Sequence, residues 1–238
     1  MIRTRWQMGE LGVSEPQNMH KLYEKLRRKK MVFRHVCEVG VYRPEAAHFV
    51  DFIRQGMRTT LIEANPEAAA ALHAAFNTQN VSIRAVAVWD THGTLTLSNA
   101  AASTFATALP SSPALENDHH RIHDGNTFEV LCMLFSTLDD GSIDLLGVDI
   151  EGGEWYVLKH LHSRPRVLCI ETYGKYLHQS LPSRNHPAAA FPWLRPLVQG
   201  RERQREYQAG LVSRELTGPD HHRICRAVHS LGQVQAPV

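Results

Sequence analysis

The stretch Ile143-Asp144-Leu145-Leu146-Gly147-Val148-Asp149-Ile150-Glu151-Gly152-Gly153-Glu154 constrains the fold more than any other part of the chain. Its first half is an apolar run of the length of a strand buried on both faces, the signature of a parallel sheet covered by helices. Its second half concentrates acids and glycines, so a strand gives way to a site. In open α/β sheets ligands bind beyond the carboxyl ends of the strands, where loops diverge and helix N-termini offer N–H groups. Asp149, Glu151 and Glu154 are expected at such an end. Glu154 is read as capping the helix Glu154–Ser163 and complementing its dipole. Asp149 and Glu151 are candidates for chemistry, with capping of the strand-to-helix turn as the plainer reading.

The rest of the chain alternates in the same way. A helix is expected over Gln17–Lys30, a strand over Met31–Val39, and a helix from Pro44 to Gln55, since proline at a first helical turn sacrifices no hydrogen bond. Thr59–Glu63 reads as a second strand, and Asn65-Pro66 as an N-cap with proline at N1, opening the helix Pro66–Asn77. Val81–Val88 is a third strand; Asp90-Thr91-His92-Gly93 turns it into Thr94–Ser98, an inserted antiparallel extension. Residues 99–126 show no periodicity and are too long for a mere connection. A strand at Phe128–Leu134, a helical turn at Ser136–Asp140 and a strand at Val167–Glu171 follow. Beyond lie the aromatic and histidine-rich segment Tyr173–Pro196, with a short helix near Pro187–Leu194, and a hairpin of Leu211–Leu216 and His222–Val228. The pattern is α/β: a doubly wound, Rossmann-like, mostly parallel sheet finished by a C-terminal antiparallel hairpin.

Composition narrows the classes. A chain of 238 residues with 43% apolar content can form one sizeable domain. We divide it into a basic helical arm (1–30), a single domain (31–230) and a polar tail (231–238). Without an apolar span of eighteen residues or a signal-like N-terminus, a soluble, cytoplasmic protein with no membrane partner is expected. Cys37, Cys132, Cys169 and Cys225 are dispersed, which fits reduced core thiols better than disulfides or zinc. Residues 1–35 carry 9 Lys/Arg and 3 Glu, while residues 36–200 carry 11 Lys/Arg and 17 Asp/Glu. The basic run Lys25–Lys30 ends a helix, where cations suit the dipole, and an acidic body is a poor host for phosphates. No nucleic-acid partner is expected, and no Asp-Pro-Pro-Tyr type motif for a flipped base follows the fourth strand.

The turn after the first strand reads Glu38-Val39-Gly40-Val41-Tyr42-Arg43-Pro44-Glu45. A dinucleotide site needs G-x-G-x-x-G, whose later glycines are replaced here by Tyr42 and Glu45; no G-x-x-x-x-G-K-[ST] is present either. Glu38 offers an acceptor for an ammonium group, and the helix N-terminus can receive a carboxylate. Glu63, 23 residues after Gly40, stands where an acid grips ribose hydroxyls in such folds. An amino acid joined to a nucleoside describes S-adenosylmethionine (SAM).

Here the chain resembles the FkbM family of SAM-dependent methyltransferases. The resemblance is carried over about residues 34–172 by Glu38-Val39-Gly40, Leu61-Ile62-Glu63-Ala64-Asn65-Pro66, Ala85-Val86-Ala87-Val88 with Gly93, Val148-Asp149-Ile150-Glu151-Gly152-Gly153-Glu154 with Val157-Leu158, and Ile170-Glu171. It implies a class I methyltransferase fold with a seven-stranded sheet, and cofactor contacts from Glu38, Gly40, Tyr42, Glu63, Ala64, Ala85, Val86 and Asp149. The chain departs from the family's usual Asp at Glu38, Asn at Tyr42, Gly at Pro44 and Lys at Gly147.

Methyl transfer from a sulfonium is an in-line displacement that mainly requires alignment in a dry site. A hydroxyl acceptor also needs a base, and Asp149 and Glu151 are the candidates. The expected acceptor is a small molecule, natural product or carbohydrate, with N-methylation and a non-catalytic nucleoside-binding module as alternatives. Tyr173, Tyr176 and His178, beyond the fifth strand, and His119 in the long loop are substrate candidates. Asp149 and Glu171 resemble in placement the acids that hold Mg2+ in catechol-type O-methyltransferases, although Glu171-Thr172 is not that class's acid–amide pair. His119, His120 and His123 lie on irregular chain and are read as exposed or substrate-facing.

Overall fold

The computed structural model describes residues 19–78, 80–116, 118–172, 194–196 and 207–213. Its core is a mixed α/β unit built on five parallel strands: β1 (His35–Val39), β2 (Arg58–Glu63), β3 (Val81–Ala85), β8 (Leu145–Val148) and β9 (Val167–Thr172), in the order β3-β2-β1-β8-β9. On the β9 side, β11 (Tyr207–Ser213) pairs antiparallel with β9, and β10 (Leu194–Pro196) antiparallel with β11. The described neighbours of β11 are β9 and β10; His222–Val228, expected as its hairpin partner, lies outside the described residues. Leu194 begins a strand where a helix was expected to end.

Every residue of β1 and β8 is buried, as central strands require. Their side chains alternate between two layers. Val36 and Leu145 face Leu22 and Leu26 of α1 (Met19–Arg28), together with Phe33 and with Phe52 of α2 (Val50–Arg54). Cys37 and Leu146 face the other way, with Phe135 of α5 (Phe135–Leu138) and Val157 and Leu158 of α6 (Glu154–Lys159). The helix α3 (Pro66–Ala75) begins as its sequence dictates: the Asn65 side chain accepts hydrogen bonds from the N–H groups of Glu67 and Ala68. Among the described residues no helix is long and apolar enough to cross a membrane.

Two expectations are corrected. The continuous helix Pro44–Gln55 is a 3-10 turn (Pro44–Ala46) followed by α2. The N–H groups of His48 and Phe49 donate to the carboxylate of Glu38, so α2 starts only after them. The third strand divides at Val86, whose N–H turns to the carbonyls of Glu63 and Arg84. Beyond it β4 (Ala87–Val88) enters a second sheet with β5 (Gly93–Ser98), β6 (Phe105–Ala106) and β7 (Thr127–Met133), in the order β4-β7-β5-β6. The strand Thr94–Ser98 therefore extends no strand of the main sheet: it pairs with β7 and β6. The unpatterned stretch 99–126 contributes β6 and the short helix α4 (Pro113–Glu116).

Candidate active site

The carboxyl ends of β1, β2, β3 and β8 and one face of the second sheet enclose a cavity of about 210 Å³. Its geometry begins at Gly40. The N–H of Gly40 donates to the carbonyl of Ile62, and that of Asp149 to the carbonyl of Val39, which draws the ends of β1, β2 and β8 together. Gly40 has φ +86°, and a Cβ there would lie 1.7 Å from the Asp149 carbonyl oxygen. A glycine is demanded both by backbone conformation and by space.

Of the residues proposed from sequence, Gly40, Tyr42, Glu63, Ala64, Val86, Asp149 and Glu151 line this one cavity. Glu63 is 8% exposed, and its two carboxylate oxygens accept from the N–H groups of Val41 (2.9 Å) and Asn65 (2.7 Å). Those bonds fix the carboxylate at the cavity wall and leave it lone pairs for further donors. Burial raises the Glu63 pKa, opposed by these backbone N–H donors. Glu151 sits in left-handed backbone (φ +57°) and is buried. The turn that carries it is held by Glu154, whose Oε1 accepts from the N–H groups of Ile150 (3.2 Å) and Gly152 (3.1 Å). Glu154 thus organises the loop in front of its helix.

Glu38 and Ala85 are placed differently from expectation, because neither lines the cavity. Glu38 is 1% exposed, and both of its oxygens accept backbone N–H groups at the start of α2. Burial raises its pKa, an effect opposed by His48 and by the two N–H donors. Helix N-terminus and acid, expected to receive opposite ends of an amino acid, are committed to each other. His119 is not among the cavity residues either. His120 is instead a fixing residue: its Nε2 lies 2.9 Å from Ser98 Oγ, and its ring meets Phe105 edge to face. Tyr173, Tyr176 and His178 lie outside the described residues, as does the side chain of Glu171. Among the described residues no group of three or more His, Cys, Asp or Glu could hold a metal. The magnesium expectation gains no support from them.

Several cavity residues had not been singled out: His48, Trp89, Leu95, Leu97, Phe105, Ala106 and Leu109. The alternation of Leu95 and Leu97 marked a strand with one apolar face, but nothing local said that this face lines the cavity. One side of the cavity is therefore acidic, from Glu63, Asp149 and Glu151, and the other is an apolar wall.

The Methyltransferase FkbM domain model matches residues 38–226. The chain belongs to the FkbM methyltransferase family. This FkbM protein is accordingly a methyltransferase. A search of curated proteins finds no significant match. Solved structures similar to it include a candidate O-methyltransferase from Klebsiella pneumoniae (TM-score 0.44, 14% identity, 84% of this chain and 80% of that one covered). Another is the O-methyltransferase from Bacillus cereus in complex with SAH (TM-score 0.43, 14% identity, 84% and 82% covered). A third is cofactor-bound Rv0187 from MTB (TM-score 0.43, 13% identity, 87% and 83% covered).

Proposed function

We propose that this FkbM protein transfers a methyl group from SAM to a hydroxyl of a small molecule, natural product or carbohydrate, on a class I methyltransferase fold with a seven-stranded sheet. The observation that carries this reading is the convergence of Gly40, Glu63, Asp149 and Glu151 on one cavity, bordered by an apolar wall.

The residues fit the cofactor chemically. Glu63, with each oxygen already holding one backbone donor, has acceptor capacity for two ribose hydroxyls. Val86, Ala87, Leu95, Leu97 and Phe105 form an apolar slot suited to a flat base. Gly40 and Asp149, at the adjoining ends of β1 and β8, border the space for the amino-acid end. When bound, SAM supplies an electrophilic methyl group on a positively charged sulfur.

What the chain must add is alignment, exclusion of water and a place for the acceptor's proton. The apolar wall of Trp89, Leu95, Leu97, Phe105 and Leu109 excludes water from one side. Asp149 and Glu151 are the carboxylates at the end of β8 that take the proton of the acceptor hydroxyl, directly or through one water, with Asp149 also facing the cofactor. Glu151 is held for this role on a turn pinned by Glu154. The reading is tested by incubating the protein with SAM labelled on the methyl carbon and a panel of hydroxylated small molecules and oligosaccharides. Label on an oxygen of the product, lost in Glu151→Gln, is the expected result. Label on nitrogen would overturn the choice of acceptor.

A further inference from the structure

Three carboxylates and a single basic side chain line the cavity among the described residues, and the basic one is His48. Its position is determined by Glu38 behind it. The imidazole Nδ1 lies 3.3 Å from Glu38 Oε1, the same oxygen that accepts the His48 backbone N–H at 2.8 Å. The Glu38 side chain is 1% exposed and that of His48 26%, so the acid is sealed behind the ring while the ring reaches the cavity. No side chain from β8 competes for the acid: its register partner is Gly147, and the Phe49 ring stands within 2.9 Å of where a Cβ at 147 would be. With its Nδ1 edge beside Glu38, the ring has its Nε2 edge left to offer a ligand in the cavity it lines.

The other charged groups on the cavity are Glu63, Asp149 and Glu151, all of which repel a carboxylate. Tyr42 is polar but neutral, and Arg43, which lies 4.8 Å over the Tyr42 ring, is exposed and does not line the cavity. The N–H groups of His48 and Phe49, just before α2, are already taken by Glu38 and do not serve in place of a cation. Among the described residues, a zwitterionic amino-acid end has acids for its ammonium and one imidazole for its carboxylate. We propose that His48, oriented by Glu38, is the residue that receives the α-carboxylate of the cofactor's amino-acid end. This rests on the SAM reading given above and extends it to His48, a residue that no sequence motif marks.

The test is calorimetric titration of the full chain with S-adenosylhomocysteine (SAH) and with its decarboxylated analogue, 5′-(3-aminopropylthio)-5′-deoxyadenosine, which keeps the ammonium. Removing a charge-assisted hydrogen bond is expected to weaken SAH binding by about 10- to 100-fold. In His48→Gln, SAH should weaken by that factor while the analogue binds as to the wild type, so the preference between the two disappears. Unchanged SAH affinity in His48→Gln, with the wild type binding SAH, would overturn the role of His48 and leave the cofactor reading standing. Equal weakening of both ligands would mark His48 as merely structural and overturn it too. Failure of the wild type to bind either ligand would instead sink the cofactor reading on which the inference depends.

Discussion

Replacing Gly40 by alanine separates two reasons why a glycine stands at the mouth of the cavity. The new Cβ would lie 1.7 Å from the Asp149 carbonyl oxygen, 2.7 Å from its carbonyl carbon and 3.0 Å from Ile150 Cγ2, so the ends of β1 and β8 must separate by more than an ångström. Forcing a well-packed contact apart costs about 1–3 kcal/mol, and the left-handed conformation at φ +86° adds about 1–2 kcal/mol for any residue with a Cβ. The sum, about 2–5 kcal/mol, corresponds to a fall in Tm of roughly 4–20 °C for a chain of this size. Gly56→Ala is the control. Gly56 also has positive φ (+73°), but nothing lies within 4 Å of its missing Cβ, so it should show the conformational cost alone. Thermal unfolding followed by circular dichroism on both variants measures the difference. Equal destabilisation of the two would refute the claim that the approach of Asp149 to Gly40 shapes this end of the sheet.

Asn65→Ala removes the side-chain acceptor for two N–H groups of α3 and should cost about 1 kcal/mol in urea unfolding, with no change in m. Gly147→Ala places a methyl 2.9 Å from the Phe49 ring and should destabilise by about 1–3 kcal/mol, less when combined with Phe49→Leu; additive costs would show that the two positions do not meet. Binding of SAH should weaken on acidification, beginning above the ordinary glutamate pKa of 4.5. The sign follows from burial, which raises the Glu63 pKa, and from protonation, which removes acceptor capacity from the carboxylate. Affinity flat down to pH 4 in a protein still folded by circular dichroism would contradict it. Glu154→Ala, which frees the N–H groups of Ile150 and Gly152, should lower the turnover of any acceptor found more than it lowers SAH affinity, because the turn carrying Glu151 loses its brace.

The main sheet was legible where its causes are local. Asn65-Pro66 announces α3 because cap and proline act within one turn, and the buried strand β8 announces itself by a continuous apolar run. The second sheet was not, because it depends on pairings such as Thr96 with Glu129 and Leu97 with Phe128, across some thirty residues without periodicity. In the site, Gly40, Glu63 and Asp149 could be placed from the rule that ligands gather at strand ends. Glu38 was misjudged, since a side chain's partner cannot be read from its own position: the acid is satisfied by N–H groups ten and eleven residues further on. The same pairing hid His48, a lone histidine in a stretch expected to be regular helix.

The central claim, that this cavity binds SAM with Glu63 on the ribose, is tested most directly by calorimetric titration of SAH into the wild type and Glu63→Ala. Micromolar binding to the wild type, lost or weakened at least tenfold in the variant, is the result predicted, since removing the carboxylate takes away acceptors in a buried site. Absence of SAH binding to the wild type, or equal binding to both proteins, would contradict it.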